Sequence, residues 1–213
     1  VKRKNMQRIA GAILGIALPM TAMTGCEPAE FAIDDVKARW QGREATLYTY
    51  DNNSGQTTTK ITGKAIYPFR NEAFDTTDAE GNTEKGAWVS VSVGDNVVDL
   101  VGSSAMICDD EVVLIPREEI DAVTGASADA AIPWLNILKR NVSNLFTGQE
   151  RVAVIKTQND VPVAAFTADS VTMVSGNEEI KNTTWFKIQD GGKSSYCWVS
   201  RVNAGVYDVD LLD

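Results

Sequence analysis

The sequence contains no histidine. That absence removes the general base of Ser-His-Asp and Cys-His catalysis and every imidazole metal site. Acid–base chemistry is left to carboxylates, lysine or tyrosine. Positive charge is also short, with 20 Lys and Arg against 29 Asp and Glu. A surface this acidic disfavours nucleic acid and anionic lipid headgroups as partners. Long apolar runs are missing except at the front, where Ile9 to Met23 is nearly uncharged and broken by Pro19. That run is short of the roughly 20 residues a membrane-spanning helix needs. Internal repeats and low-complexity segments are absent as well. Cysteine occurs only at positions 26, 108 and 197.

What stands at the front is a basic start, Lys2, Arg3, Lys4 and Arg8, then the apolar run, then Met23-Thr24-Gly25-Cys26. A positive n-region, a short apolar core and a small-residue cleavage site define a signal peptide. The ending resembles a bacterial lipid-attachment site, with Met23 where leucine is usual. Residues 1–25 therefore read as a lipoprotein signal peptide, and Cys26 as the thiol that takes the lipid. A cysteine carrying more than one acyl chain is enough for stable anchoring. The expected location is the extracytoplasmic face of the cell membrane, with the membrane as a partner through the anchor alone. Removing the signal leaves 16 basic against 29 acidic side chains.

Residues 26–43 read as a tether with a short helix, Pro28 to Gln41, whose Ala29, Ile33, Val36 and Trp40 recur at helical spacing. From Glu44 the period changes to two, and 44–213 reads as a single β-rich extracytoplasmic domain. Strand-like runs are Ala45–Tyr50, Thr57–Ile61, Lys64–Tyr67 ending at Pro68, Trp88–Val93 and Val97–Val101. Ala105–Cys108 and Val112–Ile115 suggest a hairpin across Asp109-Asp110-Glu111. Asn71 to Glu84 reads as a solvated loop, because its acidic spacing does not fit a helix-loop-helix calcium site. Ala131 to Phe146 carries an apolar face of Leu135, Leu138, Val142, Leu145 and Phe146, with Pro133 in its first turn and Gly148 after it. Further strands follow from Val152 to Leu211. The expected class is α+β, mainly antiparallel β, with two strand-rich halves separated by one amphipathic helix.

Cys108 and Cys197 sit one in each half, both in apolar strand-like runs. Outside the cytoplasm two such thiols either pair or persist as separate buried thiols.

Several stretches resemble a group of uncharacterised Gram-positive lipoproteins defined only as a domain of unknown function. They are Tyr50-Asp51-Asn52, Val101 to Ile107, Asn144 to Gly148, Val154 to Gln158 with Val161-Pro162-Val163, and Arg201-Val202-Asn203 to Leu212. Members carry histidine just before Arg-x-Asn, where this chain has Ser200. The resemblance implies location and fold and brings no activity.

One motif is sharper than its surroundings. Asp121-Ala122-Val123-Thr124-Gly125-Ala126-Ser127 resembles the attachment sequence of extracytoplasmic flavin-carrying domains. The resemblance implies FMN on Ser127, with Asp121 assisting. The plain alternative is a helix-capping loop in which Thr124 or Ser127 caps and Gly125 turns the chain. Val112 to Glu119 does not supply the glycine-rich strand pair that usually leads such a motif. The five tryptophans, Trp40, Trp88, Trp134, Trp185 and Trp198, lie in amphipathic segments and are expected in the core. Asp109 and Glu111 lie on an apparent polar turn with nothing to bury them, so no glycosidase-type pair is expected. The expected function is a lipid-anchored, non-catalytic binding or structural module without cofactor, with a covalent flavin carrier as the alternative.

Overall fold

In a computed structural model the described residues are Trp40, 42–86, 88–115, Ile120, 131–175 and 180–212. The signal segment, Cys26, most of the tether helix, and the Asp121–Ser127 motif lie outside them. Strands and helices are numbered in chain order.

The centre is a six-stranded antiparallel sheet. Its order is β11 (Ser170–Ser175), β12 (Thr183–Asp190), β13 (Lys193–Ser200), β8 (Ser104–Asp109), β1 (Glu44–Tyr50) and β2 (Thr57–Lys64). Alternation along a strand sends successive side chains to opposite faces. On β8, Ala105 and Ile107 point to one face, and Met106 and Cys108 to the other. On β13, Tyr196 and Trp198 share the first face, and Cys197 and Val199 the second. All six residues of β8 are buried, so the middle of this sheet is covered on both sides.

A three-stranded sheet covers the first face, in the order β3 (Ile66–Phe69), β6 (Val89–Val93), β7 (Asn96–Leu100). Ile66, Val89 and Val91 meet Trp40, Leu47, Trp185 and Trp198 there. The Trp40 and Trp185 rings lie 5.0 Å apart. A second three-stranded sheet covers the other face, in the order β10 (Pro162–Ala168), β9 (Arg151–Lys156), β14 (Asn203–Asp208). Its Ala153, Ile155 and Phe166 pack on Met106, Phe186 and Val199. Its outer residues Val152, Val154 and Ala165 meet Leu135, Leu138, Val142 and Phe146 of the helical segment, and Val209 and Leu212 of the closing 3₁₀ turn. Each large apolar side chain buried in these interfaces contributes about 1.5–3 kcal/mol. A short ladder, β4 (Thr76–Thr77) with β5 (Thr83–Glu84), stands apart.

These observations correct the expected class. Among the described residues the fold is mostly antiparallel β with two short helices, not α+β with an amphipathic helix between halves. Two physical facts decide it. First, the halves interleave: β8 from the front pairs with β13 from the back, with Cys197 opposite Cys108. Second, the helical segment breaks. α1 spans Ala131–Asn141, Val142 leaves helical geometry at φ −124° and ψ 43°, and α2 is a single turn, Ser143–Phe146. The pieces cover the outside of one sheet and partition nothing.

Smaller expectations change for similar reasons. Val112–Ile115 does not fold back on β8, whose two neighbours are already β1 and β13; Ile115 forms a bridge to Ala165 instead. Pro68 does not end its strand. It pairs with Val91 from an edge strand, where a missing N–H leaves no gap in the ladder. The closing strand stops at Asp208 and a 3₁₀ turn follows, Val209–Leu212. Asn71–Glu84 is not bare loop, since it holds a 3₁₀ turn at Glu72–Phe74 and the β4–β5 ladder. Trp88 is not core. It is 41% exposed and lies one residue before β6, with its ring 4.2 Å from that of Phe74. Gly86 permits this corner, because a Cβ there would come within 2.4 Å of the Phe74 carbonyl oxygen.

Candidate functional site

Five chain segments meet at one end of the layered sheets. They are the turn after β1, the approach to β8, the β9–β10 turn, the residue before β12, and the link from β13 to β14. Strand register explains the meeting. Tyr50 pairs with Ser104, Ala105 with Ser200, Ser200 with Thr183, and Lys156 with Asn203. The ladders therefore run out on the same side.

Buried hydroxyls tie the segments together. Ser104 Oγ lies 2.7 Å from both Asn52 Oδ1 and the Arg201 carbonyl oxygen, so one proton serves two acceptors. Thr157 is fully buried. Its hydroxyl donates to the Asn52 carbonyl at 2.8 Å and accepts the N–H groups of Asn159 and Val161 at 3.3 Å. Gln158 Nε2 and Asn52 Nδ2 both reach the Gly102 carbonyl. Asn159 Nδ2 donates to Asn53 Oδ1 at 2.7 Å, and Asn203 Nδ2 to Asp160 Oδ1 at 3.0 Å. Asp51 closes the first turn by accepting from Ser54 and Asn53, which holds its carboxyl below the ordinary aspartate range.

The backbone here is unusual. Gly102 has φ +76°, which suits glycine, but Asp160, Asn182 and Arg201 also sit at positive φ, 60°, 58° and 53°. Asn and Asp tolerate that region; arginine does so rarely. A residue so placed costs of order 1–3 kcal/mol and persists only where its surroundings fix it. Arg201 is fixed on both sides. Its N–H donates to the Asn182 carbonyl at 3.0 Å, and its own carbonyl accepts the Ser104 hydroxyl. Beside this pair opens a pocket of about 380 Å³, lined by Gln158, Asn182, Thr183, Thr184 and Arg201 with Val199 and Val202.

The opposite end holds a different feature. Asp109 is 2% exposed, contrary to the expectation of an unburied turn. Its Oδ2 accepts the Tyr196 N–H at 2.9 Å and the Arg43 guanidinium at 3.3 Å, while Oδ1 has no hydrogen-bond partner among the described residues. Burial pushes this carboxyl above the ordinary aspartate range, against the pull of those two donors. The disulfide Cys108–Cys197 lies beside it in the ladder, with Cα atoms 4.1 Å apart. Both sulfurs are buried, so the bond ties strands and is not offered to solvent. No group of acidic or sulfur side chains that could hold a metal ion occurs among the described residues. Nor is any described helix long and apolar enough to cross a membrane. Cys26, Asp121 and Ser127 lie outside the described residues, so their surroundings are not described.

The molecule is thus an antiparallel β domain of stacked sheets with a hydrogen-bonded polar end. The chain belongs to the family described as domain of unknown function DUF5052, which matches residues 7–212. No curated protein and no solved structure matches it. Four of the five stretches that carried the family resemblance contribute to the polar end. Sequence reading gave those stretches no role. Thr157 had a readable signal, a threonine opening the polar turn Thr157-Gln158-Asn159-Asp160, where a hydroxyl can replace backbone bonds. Arg201 had none.

Proposed function

We propose that the chain is a lipid-anchored, extracytoplasmic, non-catalytic binding module that meets its partner through the polar end built on Asn52, Ser104, Thr157 and Arg201. The observation that carries this reading is the convergence itself. Four segments distant in sequence are held together by buried hydroxyls and a fifth by the Arg201 N–H to Asn182 carbonyl bond, with an arginine kept in left-handed backbone beside a pocket. Structural stability alone does not call for a strained arginine at that spot. The absence of histidine supports binding over catalysis. The Met23-Thr24-Gly25-Cys26 ending and the acidic composition support an anchored protein facing outward.

Two measurements test it. Cys26→Ala should release the protein from membranes to the medium, and retention of that variant would refute the anchor. Purified chain should bind saturably to envelopes from host cells that lack it. Replacing the exposed Gln158 and Asn203 by alanine should weaken that binding tenfold or more, and Lys193→Ala at the far end should not. Absence of saturable binding, or equal loss with Lys193→Ala, would refute the binding reading.

The second reading, a covalent flavin carrier, rests on Asp121 to Ser127 followed by α1. Flavin absorbance in protein from its native host, lost in Ser127→Ala, is its signature; colourless protein from that host excludes it.

A further inference from the structure

The sheet edges differ in how they are protected. The outer side of an edge strand carries a row of unpaired N–H and C=O groups, a template for another strand. Charged side chains, proline and cover by other segments blunt that tendency. Of the six edges of the three stacked sheets, five carry such a device. β2 has Lys60 and Lys64, β7 has Asp99, and β14 has Asp208. β3 has Pro68, and β10 has Pro162 and the bridge from Ile115. β11, with the sequence Ser-Val-Thr-Met-Val-Ser, has neither charge nor proline. Its one strand neighbour among the described residues is β12.

The ladder assigns its side chains to faces. Val171 lies opposite Ile188 and Met173 opposite Phe186, so both stand on the second face of the central sheet. Thr172 lies opposite Lys187 and Val174 opposite Trp185, on the first face. Met173 is 49% exposed. The nearest charges, Asp169 and Lys187, lie just before the strand and across the ladder from it. The chain has nine more acidic than basic residues, so copies of it repel, and approach at an uncharged edge costs least.

The strand is also complementary to itself. Residues directly opposite in an antiparallel pair share a face. A two-fold axis through Thr172 obeys that rule. It sets Val171 against Met173 of a second copy, Met173 against Val171, and Thr172 against Thr172. An apolar pair thus forms twice on one face and a threonine pair once on the other, with no charges opposed. Such self-complementarity is what a closed two-fold contact requires.

We propose that β11 pairs antiparallel with β11 of a second copy of this chain, joining the two central sheets about a two-fold axis at Thr172. The contact uses strand backbone and not the polar end, and it stands whether or not that end binds a partner. A single strand pair is small for a specific interface, so the dimer forms and dissociates with concentration.

The test is sedimentation velocity over a concentration series, using the full chain with Cys26→Ala in mild detergent so that this thiol cannot cross-link. The expected result is a dimer that grows with concentration. Thr172→Lys sets like charges directly opposite each other and should weaken self-association at least tenfold. Met173→Lys, at another exposed edge position, should weaken it as well. Circular dichroism checks that both variants keep the fold. Directly opposed Cα atoms of an antiparallel pair lie about 4.5–5.5 Å apart, within the reach of a disulfide. Thr172→Cys should therefore cross-link to a dimer under mild oxidation, and Thr58→Cys on β2, the opposite edge of the same sheet, should not. A monomer at every concentration, a dimer undiminished in both lysine variants, or equal cross-linking from β2 would overturn the proposal. A chain that stays monomeric and takes a strand of another protein on this edge would overturn it too.

Discussion

Removing the disulfide is the perturbation whose size the structure defines best. Cys108 and Cys197 face each other across β8 and β13, with a sequence separation of 89 residues. A cross-link over that length restricts the unfolded chain by an entropy worth about 4–5 kcal/mol in the chain-entropy description. Cys108→Ala with Cys197→Ala also deletes two buried sulfurs from the face packed on β9 and β10. At about 0.8 kcal/mol per methylene-sized group, that adds about 1–2 kcal/mol. The double variant should therefore lose about 5–7 kcal/mol, a large part of the 5–15 kcal/mol typical of a folded domain. Urea unfolding followed by tryptophan fluorescence and far-ultraviolet circular dichroism measures it. The dependence on urea should also steepen, because an uncrosslinked unfolded chain exposes more surface. A loss below about 1 kcal/mol with unchanged slope would refute the reasoning, since the cross-link would then constrain nothing. Rapid labelling of both thiols in unreduced native protein would refute it at the root.

Thr157→Val keeps the side-chain volume but leaves the Asn52 carbonyl and two N–H groups without their hydroxyl partner; we expect a loss of about 1–3 kcal/mol by urea unfolding, with the amide signals of Asn52 and Asn159 moving most. Asp109 binds its proton more readily folded than unfolded, so its contribution to stability falls as pH rises from about 4 through its raised value. Asp109→Asn should abolish that decline in unfolding free energy against pH; an unchanged profile would assign it to other groups. Trp198→Ala should cost about 3–5 kcal/mol and Trp88→Ala far less, read from thermal and urea midpoints, because Trp198 is fully buried and Trp88 is a half-exposed corner.

How much of this was legible in the chain depends on which physical signal each element needs. Alternation of apolar and polar side chains shows as period two, and β1 and β6 were readable from it. A strand covered on both faces loses that signal: Ala105 to Cys108 reads as an apolar run, and nothing in it says that its neighbours are β1 and β13. The nearest candidate, Val112–Ile115, was therefore the natural but mistaken partner. The same step misjudged Asp109, whose identity suggests a turn. Its burial is tolerable only because the Tyr196 N–H and Arg43 arrive from distant segments. Trp88 and Trp198 both sit in strand-like runs, and only the ladder shows that one precedes its strand.

The polar end divides along the same line. Its individual segments were visible, since Asn52, Gly102, Thr157 and Asn203 are turn-forming residue types at strand ends. Their convergence was not, because it follows from pairings such as Ser200 with Ala105 that join residues far apart in the chain. Left-handed backbone at Asn182 and Asp160 also fits their chemistry. At Arg201 it does not: the residue type argues for ordinary backbone, and tertiary contacts from Asn182 and Ser104 override it. An arginine held against its local preference by two hydrogen bonds is informative for that reason. Glycine or asparagine would sit there with less backbone strain, so tertiary contacts and not local preference set this conformation.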